Sequence, residues 1–311
     1  MESIKKKPTL LILAAGLGSR YGSLKQIDSI GPSGERIIDY SVYDAVKAGF
    51  GKIVYVIRES IEEEFKEVIL DSLPTEIITD YTYQEVNTIP DNIEYSNKRE
   101  KPWGTGHALI VAASKINEPF AVINADDFYG AESFQTAAEY LTNEINNENE
   151  YALISYRLKN TLSKFGSVSR GLCEVDAGNY MTSIIEVKEI KIVEDGFVFK
   201  DDKGIWQNLT GNENVSMNMF AFKTSIFEKS EKYFRKFLME NNNDLKSEFY
   251  IPTAVNTMIR NSEIQVKVLE SNSTWFGLTY AKDKPIARDK MKKLIDKKNY
   301  PEKLWENFKI D

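Results

Sequence analysis

The sequence predicts an α/β fold: a doubly wound, mostly parallel (mixed) Rossmann-like sheet with a β-rich subregion and a C-terminal helical tail. Three observations predict this class. Strand-like and helix-like segments alternate through residues 9–145. The first strand is apolar without alternation, and the second half of the chain changes to closely spaced β segments separated by turn residues.

The first elements follow from the apolar pattern. Residues 9–15 (TLLILAA) lack the alternation of a half-exposed strand, which is typical of a strand covered on both faces in a parallel sheet. Residues 38–48 carry apolar side chains at helical spacing and stop at Gly49, a common residue after a helix. A second strand is expected at 52–57 (KIVYVI).

Helix and strand signals continue after this first unit. Ser60 and Glu63 match the S-x-x-E capping box, which predicts a helix over 61–70. A polar stretch covers residues 87–100. The alternation then resumes with a predicted helix over 105–115, a strand over 119–125 and a helix over 131–145.

The second half and the tail have a different character. β-rich segments there are expected to extend the sheet and to form a small subregion over its carboxyl edge. These segments are 152–158, 166–176, 181–187 and 215–223. The tail, 284–311, is rich in lysine and arginine and is predicted to be a helical cap packed on the domain; an oligomer contact or a site for an acidic partner is the alternative.

Composition limits the classes of function. A chain of 311 residues with 42% apolar residues can bury one large core, so one large domain with an appendage is expected. The net charge of -7 argues against a nucleic-acid-binding surface, which needs clustered cations. The single cysteine, Cys173, excludes an internal disulfide and suits a reducing compartment. No apolar run is long enough to span a membrane, so a cytoplasmic protein is expected.

A glycine loop follows the first strand, in the stretch AAGLGSRYGSLKQ (14–26). Glycines let backbone N–H groups approach phosphate oxygens closely, and Arg20 and Lys25 can neutralise the remaining charge. The loop is not the dinucleotide fingerprint, because Tyr21 stands where the third glycine belongs, and no G-K-[ST] of a P-loop follows.

Two carboxylates end a later strand. The apolar segment 119–125 is followed at once by Asp126 and Asp127. Residues after parallel strands lie at the sheet's ligand-binding edge, and Mg²⁺ is typically held by one or two carboxylates plus substrate phosphates. The pair is therefore a candidate magnesium site; capping of the next helix is the alternative.

The motif strand-A-A-G-x-G-[ST]-R, followed closely by Lys, resembles the signature of the nucleotidyltransferases that make NDP-sugars, the NDP-sugar pyrophosphorylase or sugar-1-phosphate nucleotidyltransferase family. The resemblance implies that Arg20 and Lys25 bind the triphosphate as the catalytic cations, because this chemistry depends on stabilising negative charge. It also implies backbone contacts to the base and phosphates from Ala14, Ala15, Gly16 and Gly18.

The same resemblance suggests metal ligands. Asp126 matches the metal-binding Asp of the family's strand-G-D-x motif, with Ala125 in place of the glycine. Asp127 could instead be the ligand or a residue that supports it. The family's later W-x-D-x-G motif has no counterpart Asp in Trp275-Phe276-Gly277, so Asp283 is the candidate for the second metal ligand, with helix capping as its alternative.

Base and acceptor contacts are implied further along the chain. Gly104-Thr105-Gly106-His107-Ala108 resembles the family's G-L-G-H-A turn, which reads a pyrimidine together with an upstream glutamine, here Gln84. His107 is expected to be structural rather than catalytic. The candidate acceptor-binding residues, with ordinary strand polarity as the alternative for the last two, are Gly166, Glu186 and Asn218.

The implied enzyme is a Mg²⁺-dependent nucleotidyltransferase that converts UTP or dTTP and a sugar 1-phosphate into an NDP-sugar and pyrophosphate. Residues 1–283 would form its domain, with an NTP-binding half up to about residue 130 and an acceptor-binding half over 131–283. Its partners are an NTP and a phosphorylated small molecule; a homo-oligomer stays open.

Two other functions remain open. The short spacing from Arg20 to Lys25, followed by Gln26, resembles cytidylyltransferases of polyol phosphates, so CTP with phosphocholine or a polyol phosphate is an alternative. A nucleotide-binding regulatory module without catalysis is the alternative from another class. A dehydrogenase is a poorer alternative, because the third fingerprint glycine is missing.

Overall fold

A computed structural model of the chain describes residues 6–16, 29–143, 147–163, 166–201, 203–278 and 283–310. The strands are β1 Thr9–Leu13, β2 Lys52–Ile57, β3 Thr79–Tyr83, β4 Phe120–Asn124, β5 Asp127–Phe128, β6 Glu150–Arg157, β7 Val168–Val175, β8 Met181–Val193, β9 Gly196–Lys200, β10 Trp206–Leu209, β11 Asn214–Phe222, β12 Gln265–Glu270 and β13 Phe276–Gly277. The helices are α1 Ile37–Lys47, α2 Glu62–Val68, α3 Thr105–Val111, α4 Ala131–Thr142, α5 Ser225–Asn241, α6 Ile251–Arg260 and α7 Asp283–Asp296.

The described strands, apart from the small β5–β13 pair, form one eleven-stranded mixed sheet with a parallel core. Strands β3, β2, β1 and β4 lie side by side in that order and are all parallel. Strand β11 follows antiparallel to β4, and β6 and β12 continue beyond it, parallel to each other. The predicted α/β class is confirmed, with parallel strands at the centre of a mixed sheet.

The sheet divides at β11. Residues 220–222 of this strand pair with β4, whereas residues 214–216 pair with β7 on the same edge. An irregularity between Ser216 and Phe220 separates the two pairings. Strands β7 to β10 therefore branch away from β4, and the predicted β-rich subregion extends the sheet from this branch point.

Both faces of the parallel core are covered. Leu10 and Ile12 of β1 pack into one apolar cluster with α1 and α4, whereas Leu11 packs into a second cluster with α5 and α6. Alternate side chains of a strand point to opposite faces, so each must be apolar when helices cover both. This packing explains the absence of alternation in residues 9–13.

Local details differ from the predicted elements. Helix α2 begins after a 3-10 turn at Glu59–Ile61, and no side-chain cap is formed at its start, so the predicted Ser60–Glu63 capping box is wrong. The Glu59 backbone N–H donates instead to Glu85 Oε1 at 2.9 Å, which turns the chain before the helix. Reciprocal capping occurs at α1, where the Asp39 carboxylate accepts from the Arg36 backbone N–H.

The tail is helical only in its first part. Helix α7 ends at Asp296, and the following residues run in turns. Their side chains pack on α1: Tyr300 and Leu304 join a third apolar cluster with Tyr40 and Phe128. No helix in the described part of the chain is long and apolar enough to cross a membrane.

Candidate active site

The glycine loop and the acidic pair leave the sheet side by side. Leu13, the last residue of β1, lies opposite Asn124, the last residue of β4. The Ala125 backbone N–H donates to the Leu13 carbonyl at 3.2 Å, and the Ala14 N–H donates to Val56 at 2.8 Å. The two predicted motifs therefore meet at the carboxyl edge of the parallel core, as expected for such a sheet.

The described start of the glycine loop becomes progressively exposed. Ala14 is buried, Ala15 is half-buried and Gly16 is exposed. A Cβ atom on Gly16 would meet no described atom within 4 Å, so the described residues leave room for one at this point. Gly18, Arg20 and Lys25 lie outside the described residues.

The acidic pair lines a polar cavity of about 470 Å³, and both of its side chains are half-buried. Asn124 Nδ2 donates to Asp127 Oδ2 at 2.9 Å, and the Tyr129 hydroxyl lies 3.4 Å from the same oxygen. The other oxygen of Asp127 lies over Gly277, its partner in the β5–β13 pair, where a Cβ would be only 2.5 Å away. Gly277 thus leaves the space that the Asp127 carboxylate occupies.

Asn218 reaches the same cavity from the irregular part of β11. Its φ of 65° lies in the left-handed region, which asparagine tolerates better than most residues. Asn218 Nδ2 donates to Asn124 Oδ1 at 2.9 Å. Its own Oδ1 is buried and has no hydrogen-bond partner among the described residues, so this acceptor is available to a bound ligand.

Glu186 joins the cavity from β8. Desolvation raises the pKa of this carboxyl group, and the nearby positive charges of Arg170 and Lys188 act in the opposite direction. Asp126, Asn218 and Glu186, which were selected from three separate motifs, therefore line one cavity. Thr105 lines it as well.

The predicted base-reading residues are also close together. Gln84 is buried, and its Nε2 donates to the Gly104 carbonyl at 2.8 Å. Gly104 has a φ of 94°, and a Cβ there would lie 2.7 Å from the Phe249 carbonyl oxygen. A Cβ on Gly106 would lie 2.4 Å from the Phe249 ring. Both glycines are therefore needed for packing against Phe249, whatever else this turn contacts.

His107 has the environment of a structural residue. Its ring is buried and stacks on Phe234 with the centroids 4.9 Å apart. Nε2 lies 2.6 Å from the Thr88 carbonyl oxygen. Burial lowers the pKa of the imidazole to about 4, so the ring is neutral at physiological pH. This geometry agrees with the structural role predicted for His107.

Two predicted site residues lie elsewhere. Gly166 is exposed in the bend before β7 and does not line the cavity. Asp283 is the first residue of α7 and accepts a hydrogen bond from Ser163 Oγ at 3.0 Å. It lines a neighbouring cavity of about 370 Å³, and the two cavities share Arg170 and Trp275. Its role as a metal ligand stays a prediction.

Several residues of the cavity were not predicted from the sequence, among them Asn124 and Arg170. Asn124 stands two residues before Asp126 in the acidic motif, so its position at the strand's end offered a signal. Arg170 lies on a β strand between Ser169 and Gly171 and carries no motif. Only the pairing of β7 with β11 brings it to the cavity.

The donor atoms fit a hard cation that is shared with a substrate. In the described ranges, no group of three or more His, Cys, Asp or Glu side chains could hold a metal ion. Asp126 and Asp127 supply oxygen ligands, and Mg²⁺ is usually bound by one or two carboxylates together with substrate phosphates and water. The pair therefore fits Mg²⁺ of this shared type.

Two solved structures share this architecture. The inositol-1-phosphate CTP transferase from T. maritima has a TM-score of 0.58 at 14% identity, over 92% of this chain and 97% of its own. UDP-glucose pyrophosphorylase, solved in complex with UDP-glucose, has a TM-score of 0.58 at 18% identity, over 92% of this chain and 99% of its own. At these identities the likeness establishes the fold.

The family follows from the sequence. The sequence model of the nucleotidyl transferase family matches residues 10–276. The chain belongs to this family, and it is an enzyme of the nucleotidyltransferase class. A search of the curated proteins found no match.

Proposed function

We propose that the enzyme transfers the nucleoside monophosphate part of UTP or dTTP to a sugar 1-phosphate, forming an NDP-sugar and pyrophosphate with Mg²⁺ as cofactor. The observation that carries this proposal is the shared cavity. Asp126, at the end of a parallel strand, lines it together with Glu186 and Asn218 of the antiparallel subregion. A metal-binding side and a polyol-binding side therefore face one space.

The chemistry requires positioning and charge stabilisation. An oxygen of the acceptor phosphate attacks the α-phosphorus of the NTP, a new P–O bond forms in line with the breaking bond, and pyrophosphate leaves. Arg20 and Lys25 would neutralise the triphosphate. The attacking phosphate oxygen is already ionised at neutral pH and no covalent enzyme intermediate is needed, so this reaction assigns no acid–base role to the buried, neutral His107.

The acidic pair would hold the metal ion. Asp126 and Asp127 both line the cavity, and Asn124 orients Asp127 through a hydrogen bond of 2.9 Å. When bound, Mg²⁺ would withdraw negative charge from the triphosphate and polarise its α-phosphate. Asn124 and the Tyr129 hydroxyl both donate to the Asp127 carboxylate, which would keep that carboxylate in place for this role.

The acceptor would lie against β8 and β11. A carboxylate accepts hydrogen bonds from two neighbouring hydroxyl groups, and an amide carbonyl accepts another. Glu186 supplies the carboxylate, and the buried Oδ1 of Asn218 supplies an acceptor with no partner among the described residues. A sugar or another polyol phosphate carries the donors that these atoms need.

The division of the chain follows from this proposal. Residues up to about 130 would bind the NTP, residues 131–283 would bind the acceptor, and the tail from residue 284 would support the first half. Contacts between the tail and α1 support this assignment, since Tyr300 donates a hydrogen bond to Asp44 at 2.7 Å.

A second candidate function is transfer of CMP to a polyol phosphate or phosphocholine. The spacing of Arg20, Lys25 and Gln26 favours it, as does the fold likeness to an inositol-1-phosphate CTP transferase. Gln84 could pair with either pyrimidine, because a carboxamide offers both donors and an acceptor. The alternatives differ in the NTP consumed and in the acceptor that it requires.

The test is pyrophosphate release from UTP, dTTP, CTP, ATP and GTP, each combined with sugar 1-phosphates, phosphocholine and polyol phosphates, with Mg²⁺ and with chelator. Metal-dependent release from UTP or dTTP with a sugar 1-phosphate is the expected result. Turnover with CTP and a non-sugar acceptor alone would establish the second candidate instead. Release that is unaffected by chelator would contradict the role of the acidic pair.

A further inference from the structure

Arg170 is a buried cation on the wall of the candidate active site. Only 8% of the residue is exposed, because strand alternation directs it inward from β7. The next residue, Gly171, lies opposite Ser216 of β11 and Glu186 of β8. Arg170 therefore lines the cavity near the point where the sheet divides, together with the acidic pair and the proposed acceptor-binding residues.

The guanidinium group is held in one orientation by neutral partners. Nε donates to Thr161 Oγ1 at 3.1 Å, and the terminal nitrogens donate to the carbonyl oxygens of Ser169 and Thr161. The Trp275 ring lies 4.9 Å from the guanidinium carbon, within the range of a cation–π contact. These contacts fix the group without neutralising its charge.

The protein provides no close counterion in the described part of the chain. Asp127 and Glu186 act on Arg170 only at longer range, raising a pKa that burial lowers to about 10, so the group stays charged at neutral pH. Of its five N–H groups, one on each terminal nitrogen has no acceptor among the described residues. A buried charge without a close partner is unfavourable, so an anion bound there would be stabilised.

We propose that Arg170 binds the phosphate group of the acceptor. Its two remaining N–H groups suit two oxygens of one phosphate, an arrangement that arginine forms more readily than lysine. The third oxygen would be left for attack on the NTP. This inference rests on the proposed function, since it takes the acceptor to be a phosphorylated small molecule.

The first experiment measures binding of inorganic phosphate and glucose 1-phosphate to the full chain by isothermal titration calorimetry. Arg170→Gln is expected to weaken both by about tenfold or more, the scale of a lost hydrogen bond to a charged group. Arg170→Lys keeps the charge and loses the paired geometry, so an intermediate affinity is expected. Glucose, which has no phosphate, should bind equally to all forms.

The matched control is Arg157→Gln. Arg157 is the last residue of β6, which pairs with β11 on the side away from β7; it pairs with Glu270 at the surface and does not line the cavity. This variant should bind both phosphates as the wild type does. If Arg170→Gln fails to fold, Arg170→Lys decides: wild-type phosphate affinity in folded Arg170→Lys would overturn the assignment.

Kinetics separate this inference from the proposed function. With the acceptor identified by pyrophosphate release, Arg170→Gln should raise the acceptor KM by about tenfold and leave the NTP KM within about twofold. Turnover with an unchanged acceptor KM would refute the inference and leave the function standing. Arg170-dependent phosphate binding without turnover of any NTP and acceptor would refute the function and leave the phosphate site standing.

Discussion

The two halves of the site are built by different means. In the parallel half, Ala14 and Asp126 follow directly from strand ends that lie in register, so each motif is positioned by the strand that precedes it. In the antiparallel half, Glu186 and Asn218 come from the middle of strands: Asn218 lies in the irregular part of β11, and Glu186 lies opposite Gly171 of β7, which pairs with β11 where the sheet divides. Parallel strand ends concentrate functional groups along one edge, whereas an antiparallel strand needs a local break to do so.

The largest effect is expected from removing charge in the parallel half. Asp126→Ala should lower kcat/KM by about a hundredfold or more, because it removes a ligand of the proposed Mg²⁺, and Lys25→Ala should do the same, because it removes a cation that would neutralise the triphosphate. Steady-state pyrophosphate release measures both. Near-normal turnover of Asp126→Ala at saturating Mg²⁺ would show that the acidic pair does not act there.

The next largest effect is expected from a packing change near the proposed base-reading turn, and it is an effect on stability. Gly106→Ala would force Phe249 and its neighbours to move, at an expected cost of about 1–3 kcal/mol in the free energy of unfolding. Urea denaturation measures this cost. Gly16→Ala is the matched control, because its new Cβ meets no described atom within 4 Å; equal destabilisation of the two variants would contradict the packing argument.

A smaller and more selective effect is expected in the antiparallel half. Asn218→Gly keeps the positive φ and removes the amide, so it should raise the acceptor KM by about tenfold through loss of hydrogen bonds. The NTP KM should change little. Asn179→Gly, at another positive φ of 63° outside the cavity, provides the control for the backbone change. If Asn218→Gly changes the acceptor KM and the NTP KM by the same factor, the antiparallel half has no selective role in binding the acceptor.

The last effect concerns the pH dependence of stability at the contact between the tail and α1, and not activity. Burial raises the pKa of Asp44 to about 8, although the hydrogen bond from Tyr300 opposes this rise. The folded state therefore keeps a proton that the unfolded state loses near pH 4, so the contribution of Asp44 to stability falls as the pH rises from about 4 to about 8. Asp44→Asn should reduce this pH dependence.

The measurement for Asp44 is urea denaturation at pH 5 and pH 8 for the wild type and Asp44→Asn. Other carboxyl groups change stability in both directions, since the pKa of Asp39 is also raised and that of Glu118 is lowered, so the informative quantity is the difference between the two proteins. If the wild type and Asp44→Asn show the same pH dependence of stability, the conclusion that Asp44 is uncharged in the folded protein is wrong.

Much of the fold was predictable because its signals are local. The unbroken apolar run of β1 and the helical spacing of α1 reflect burial on known faces, and both elements were located within two residues. The failure at Ser60 has a physical cause, since Glu85 of a neighbouring segment replaced the local cap. Helices α5 and α6, which lie between β11 and β12, were not predicted.

The candidate site was predictable where function depends on a local motif. The sequence by itself determined the family, the glycine loop and the acidic pair, because consecutive residues carry that chemistry. Only the tertiary structure decided that Arg170 lies in the cavity and that Asp283 lines the neighbouring one. The physical reason is that these two positions depend on strand pairing and helix packing between segments far apart in the chain.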